Sequence, residues 1–111
     1  MVYAKTKLFE NELQVCATYC KALAHPARLA ILKYLLDIKV CMTGDISEEL
    51  PLSRTTVNQH LKELKAAGLI VGTTEGSRTN YCLNPTHLNE LKLVFQTFID
   101  QIDTSKDYCK K

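Results

Sequence analysis

LSRTTVNQHLKELKAAGL, residues Leu52–Leu69, is the stretch that decides how this chain folds. Ser53 is a good helix N-cap, because its hydroxyl can accept a hydrogen bond from an orphan amide of the first turn. Gly68 can adopt the left-handed conformation that closes the other end. Between them Val57, Leu61 and Leu64 recur at helical spacing and form one apolar stripe. The other faces carry Arg54, Thr55, Thr56, Asn58, Gln59, Lys62 and Lys65, with Glu63 the one acid in the segment. Such side chains hydrogen-bond phosphate oxygens and base edges. The same pattern also suits a surface helix with a solvated polar face, so the flanking sequence has to decide.

Upstream, Gly44-Asp45 opens a short helix, ISEEL, which Pro51 stops by pushing the preceding residue out of the α region. A short turn, PLS, then leads into the helix of about 53–67. Two helices joined in this way, the second with the polar face outward, predict a helix-turn-helix. Downstream, LIVGTT and RTNYCL are rich in β-branched and aromatic residues and flank a glycine-containing loop. They predict a β-hairpin over about 69–83, with Arg78 and Thr79 placed to reach a phosphate. Helix-turn-helix followed by hairpin is a winged helix, so the expected fold class is mainly α, an α+β winged helix-turn-helix with a two-stranded wing.

Helical seams flank this unit. Over about 8–24, Phe9, Leu13, Cys16, Cys20 and Leu23 alternate in steps of four and three, the narrow stripe of a helix packed along another helix. His25-Pro26 interrupts, with proline suited to the first turn of a second helix. There Leu29, Leu32 and Leu36 are expected to face the core, with Ile31 and Leu35 also largely buried. Asn84-Pro85-Thr86 caps a last helix over about 85–103, striped by Leu88, Leu91, Phe95, Phe98, Ile99 and Ile102. The first and last stripes together exceed what one small core can hide, which points to a homodimer joined through these helices.

The composition fits a single domain spanning residues 1–111, with 46% hydrophobic and 23% charged residues. The formal charge is +2, and Arg54, Lys62, Lys65 and Arg78 against Glu63 and Glu75 account for a local excess of the same size. There is no apolar run near the ~20 residues of a membrane span, and Met1–Leu8 lacks a signal-peptide apolar segment, so a cytoplasmic location is expected. An enzyme is disfavoured: His25, His60 and His87 are scattered, and no nucleophile has a base partner in local sequence. A winged helix used only for docking to another protein is the rival of a different class, since folds are reused.

KALAHPARLAIL (Lys21–Leu32), GDISEEL, SRTTVNQHLKELKAAGLI and RTNYCLNP, in that order and spacing, resemble the ArsR-type (ArsR/SmtB) family of small metal- and stress-sensing repressors. The resemblance covers roughly residues 15–100. It implies a dimeric winged-helix repressor that holds an operator in double-stranded DNA until an inducer weakens its grip. It carries Ser53, Arg54, Thr55, Asn58, Gln59, His60 and Lys62 over as recognition-helix residues. Asn58 and Gln59 can pair with adenine, and Arg54 with guanine or phosphate. His60 is equally suited to a structural hydrogen bond. A two-fold dimer would read an imperfect inverted repeat.

No cofactor is required by this reading, and the inducer is a separate question. Arsenic-responsive members of the family often carry two cysteines two apart at the start of the short helix. Here VCMTGD has Cys41, with Thr43 where the second thiol would stand. Cys16 and Cys20, one turn apart on one helix face, could complete a site for As(III), Cd(II) or Zn(II) with Cys41 as a third sulfur. They are equally able to serve as small apolar packing residues, or as redox thiols with Cys109 as one partner. Five cysteines, an odd number, argue against a fully paired disulfide framework. Cys82, on the wing strand, is expected to be structural. The family's other sensor position, on the last helix, is echoed only by His87, Asp100 and Asp103.

Overall fold

The computed structural model describes residues 9–109 except 44–45 and 76–77, and leaves the side chains of Thr43, Glu75 and Arg78 outside the description. In chain order the elements are α1 (Asn11–Leu23), α2 (Pro26–Ile38), β1 (Met42–Thr43) and a 3-10 helix (Ile46–Glu49). They continue with α3 (Arg54–Ala66), β2 (Ile70–Glu75), β3 (Arg78–Leu83) and α4 (Pro85–Ile99). The 3-10 helix and α3 form the helix-turn-helix, and β2–β3 form the hairpin wing. The short helix is tighter than expected, and Gly44 and Asp45, expected to open it, lie outside the described residues.

Local chemistry sets the ends of α3 as the sequence implies. The Ser53 hydroxyl accepts from the Thr56 amide at 3.3 Å. At the far end Gly68 has φ +82°, its amide donates to the Lys65 carbonyl at 2.9 Å, and the Leu69 amide donates to the Leu64 carbonyl at 3.1 Å. That pair of bonds is a Schellman motif, and its usual hydrophobic contact is supplied by Leu64 and Leu69, both fully buried. The chain then enters β2, and the Asn84 amide bonds the Leu69 carbonyl at 3.0 Å, so the hairpin returns to the base of α3. Asn84 caps α4 through its side chain, with Pro85 at the first helical position.

The sheet has three strands in the order β1-β3-β2, all antiparallel. β1 is an addition to the expected hairpin: Met42 pairs with Tyr81 and Thr43 with Asn80. The core lies beneath α3, where Ile31, Leu35, Ile46, Val57, Leu61, Leu64, Leu69 and Ile70 come together. In α2 the buried residues are Ala27, Ile31, Leu32 and Leu35. Leu29 and Leu36, expected inward, are 50% and 46% exposed. The one-turn step from Ala27 to Ile31 to Leu35 defines the inner face of this helix, and Leu29 and Leu36 fall off it.

α1 and α4 pack against each other through a polar clasp. Tyr19 is buried, and its hydroxyl donates to Glu90 Oε1 at 2.6 Å and meets His87 Nδ1 at 3.1 Å. The phenol has one proton and gives it to the carboxylate, so the His87 nitrogen at this oxygen is the N–H donor. Burial, then the Glu90 contact, pushes the Tyr19 pKa up to about 12, so the phenol stays protonated. The apolar seam of α1 meets this core only at its end, through Leu23, while Leu13 is 48% exposed and Phe9, ahead of the helix, 59%. On α4, Leu93, Phe98 and Ile99 are likewise exposed, and Ile102 lies past the end of the helix.

Candidate nucleic-acid interface

α3 presents two chemically distinct faces. Val57, Leu61 and Leu64 are 2% exposed or less, and this anchoring fixes the rotation of the helix about its axis. Ser53, Arg54, Thr55, Asn58, Gln59, Lys62 and Lys65 are exposed, and Thr56 is half-buried. Seven of the expected contact residues therefore share one solvent-facing surface. No carboxylate interrupts the first turn of α3, so its positive dipole end and the Arg54 cation act in the same direction on a polyanion. Lys65 leans toward the wing, its Nζ lying over Gly72 of β2. Thr79 is half-buried on β3, opposite Thr74 of β2. Arg78 begins β3, and its side chain lies outside the described residues.

His60 is turned toward the protein. Its Nδ1 accepts from Arg28 Nε at 3.3 Å, and its ring lies 4.3 Å from that of His25, centroid to centroid. His25 caps α2 by accepting from the Ala27 amide at 3.0 Å, while Arg28 also donates to the Lys21 and Ala22 carbonyls. One cluster thus ties the end of α1 and the start of α2 to the middle of α3. Burial, then the charges of His25 and Arg28, hold the His60 pKa below its ordinary value. Arg28 gave no signal in the sequence, because its partners are placed only by the packing of α2 on α3.

The cysteines are distributed differently from the expected trio. Cys41 is joined to Cys82 in a disulfide, so its sulfur does not accompany Cys16 and Cys20. The pairing arises from β1, which places Cys41 opposite Cys82, one step beyond the Met42–Tyr81 pair. Cys82 is therefore covalently engaged as well as structural. Cys16 and Cys20 are free thiols in an apolar groove of about 350 Å³ between α1 and α4, lined with Leu13, Ala17, Phe95, Phe98 and Ile99. Partial burial, then the neighbouring Cys20 thiol and Glu12, raise the Cys16 pKa, so this thiol is protonated at neutral pH. Zn(II) and Cd(II) need deprotonated sulfur and about four ligands. Two thiols in an apolar groove do not fit that requirement. Cys109, on the exposed tail, is free.

The last-helix echo also disperses. His87 is held by Tyr19, Asp100 accepts from Gln96, and Asp103 bonds Ser105. Among the described residues no three His, Cys, Asp or Glu side chains are grouped to hold a metal ion, and no helix is long and apolar enough to cross a membrane.

A helix-turn-helix whose second helix is rotated polar face outward and followed by a hairpin makes the chain a winged helix-turn-helix protein. A family model described as a helix-turn-helix domain matches residues 23–73. The HTH-type transcriptional regulator CmtR of Mycobacterium tuberculosis is 44% identical over 68 residues, which cover 61% of this chain and 57% of CmtR. The HTH-type transcriptional regulator Rv2034 of the same organism is 38% identical over 78 residues, covering 70% of this chain and 72% of the relative. A solved structure of the cadmium metal-sensor CmtR matches with TM-score 0.53 and 36% identity, covering 82% of this chain and 93% of that one. The chain belongs to the ArsR/SmtB-type family of winged helix-turn-helix regulators, a family of transcription factors rather than enzymes.

Proposed function

We propose that this protein is a homodimeric transcriptional repressor that binds an inverted-repeat operator through α3 and releases it when a thiol-reactive signal engages Cys16 and Cys20. The observation that carries DNA binding is the rotation of α3: its apolar stripe is buried, leaving Arg54, Asn58, Gln59 and Lys62 on one exposed face. Asn58 and Gln59 supply base-edge chemistry, while Ser53, Arg54, Thr55, Lys62 and Lys65 supply phosphate contacts. Thr56 and His60 border this face on α3, with His60 acting through its bond to Arg28, and Arg78 and Thr79 of the wing are taken as further backbone contacts. The regulators similar to this chain support the same reading.

The exposed apolar residues of α1 and α4 supply the dimer seam. A two-fold axis there would set two copies of α3 about one helical turn of DNA apart, roughly 34 Å. The groove holding Cys16 and Cys20 lies on the same seam, so a species binding both sulfurs acts where the subunits meet. A soft metalloid such as As(III), or a thiol-reactive agent, suits this pair better than a divalent cation.

Fluorescence anisotropy on duplex DNA from upstream of the coding sequence tests the proposal, with As(III), Cd(II), Zn(II) and a polysulfide as titrants. Wild type should bind with affinity falling steeply as salt rises, and As(III) or polysulfide should weaken it by roughly tenfold, a coupling of about 1.4 kcal/mol. Cys16→Ser/Cys20→Ser should bind DNA and ignore both agents. Weak, salt-independent association would leave a protein-docking module instead. An unchanged affinity with every titrant would make the two thiols packing residues.

A further inference from the structure

The disulfide between Cys41 and Cys82 lies apart from the thiol groove, at the root of the wing. Cys41 sits between α2 and β1, in the segment that leads into the helix-turn-helix, and Cys82 lies on the strand returning from the wing tip. On its other side Cys82 pairs with Val71 of β2. One covalent bond therefore ties the approach to the helix-turn-helix to both strands of the wing.

The remaining ties at this junction are a short ladder and the packing of half-buried Met42 and Tyr81 against the core. β1 contributes two residue pairs, Met42–Tyr81 and Thr43–Asn80, and the Tyr34 hydroxyl reaches the Met42 sulfur at 3.8 Å. So short a strand has marginal stability of its own. Cys41 is also exposed, with the exposed Val40 beside it, so an external thiol can reach its sulfur. A bond that is accessible at one end and that reinforces a marginal strand is suited to opening and closing.

We propose that Cys41–Cys82 is a reversible thiol–disulfide exchange site, opened by low-molecular-weight thiols and closed by the corresponding disulfides, that sets how firmly the wing is fastened to the helix-turn-helix. In opening, an external thiolate attacks Cys41 Sγ, the bond to Cys82 breaks, and Cys82 leaves as a thiolate that takes a proton from water. A second thiolate attacks the external sulfur of the mixed disulfide and frees Cys41. Two external thiols are thereby oxidised to one disulfide, and the protein bond gains two electrons; the reverse sequence closes it. This input is separate from the Cys16/Cys20 groove. Its consequence for operator affinity rests on the proposed DNA reading, whereas the latch itself does not. Closed, the wing is preorganised beside α3; open, part of the binding free energy goes into ordering it.

The test uses the full chain equilibrated in buffers of defined reduced-to-oxidised glutathione ratio. Iodoacetamide labelling in denaturant after acid quench, read by mass spectrometry, should count three free cysteines in the closed form and five in the open form, the additions being Cys41 and Cys82. Amide hydrogen exchange should quicken in the open form at Met42, Asn80 and Tyr81 while α3 stays protected. Operator affinity should drop on the order of fivefold on opening. Cys41→Ser and Cys82→Ser should each show the open form's exchange at Met42, Asn80 and Tyr81 whatever the glutathione ratio. A bond that survives millimolar thiol in the native protein, or identical exchange in both forms, would overturn the latch. If exchange changes while neither form binds DNA, the latch stands and the repressor reading fails.

Discussion

Replacing Gly68 with alanine should cost far more than one exposed methyl group suggests, because two penalties meet there. Gly68 holds φ +82°, a left-handed conformation that costs an L-residue about 1–2 kcal/mol. A Cβ at this position would also lie 2.8 Å from both Cε1 and Nδ1 of His87. Those are atoms of a ring pinned by Tyr19, so relief requires the imidazole to swing away and give up that hydrogen bond, worth about 1 kcal/mol. The sum is about 2–3 kcal/mol, or a fall in Tm on the order of 10 °C for a domain of this size. The assay is a double-mutant cycle of Gly68→Ala with His87→Ala, followed by urea unfolding at fixed protein concentration. Without the ring only the backbone penalty remains, so the two changes should couple by about 1 kcal/mol. If Gly68→Ala costs the same with and without His87, the account of this contact is wrong.

Three further outcomes follow from the geometry. Reducing Cys41–Cys82, which are 41 residues apart, should lower unfolding stability by about 4 kcal/mol by chain entropy, measured by denaturant titration with and without reductant; no change in midpoint would contradict this. Ser53→Ala removes the cap of α3 and should cost about 1 kcal/mol, largely recovered by Ser53→Asn, as thermal melts can show. For His60, whose folded-state pKa lies below its ordinary value, the unfolded chain binds more protons just below about pH 6.5. Stability should therefore fall as pH drops through that window, and His60→Gln should flatten the slope of urea midpoints between about pH 7.5 and 5.5; an unaltered slope would assign it to other groups.

What was legible in the sequence was local. Ser53 and Gly68 mark the ends of α3 because caps act over three or four residues, and Val57, Leu61 and Leu64 report the buried face by spacing alone. Leu29 and Leu36 were misplaced because leucine content is not orientation, and the true inner face of α2 begins at the small Ala27. β1 is too short to show a strand pattern, and with it went the Cys41–Cys82 pairing, which depends on register. The Tyr19–His87–Glu90 clasp joins residues 68 and 71 positions apart, and no local rule brings those together. The exposed polar face of α3 was legible apart from the half-buried Thr56 and the inward His60, while the division of the cysteines between a disulfide, a groove and the tail was not.

The claim that α3 reads DNA is tested most directly by comparing Gln59→Ala and Lys62→Ala on the operator and on a scrambled duplex across a salt series. Lys62→Ala should weaken both duplexes equally and reduce the salt slope by about one. Gln59→Ala should lose about 1–3 kcal/mol on the operator alone, collapsing the preference for it over scrambled DNA. An unchanged operator-to-scrambled ratio for Gln59→Ala, together with an unchanged salt slope for Lys62→Ala, would contradict the account.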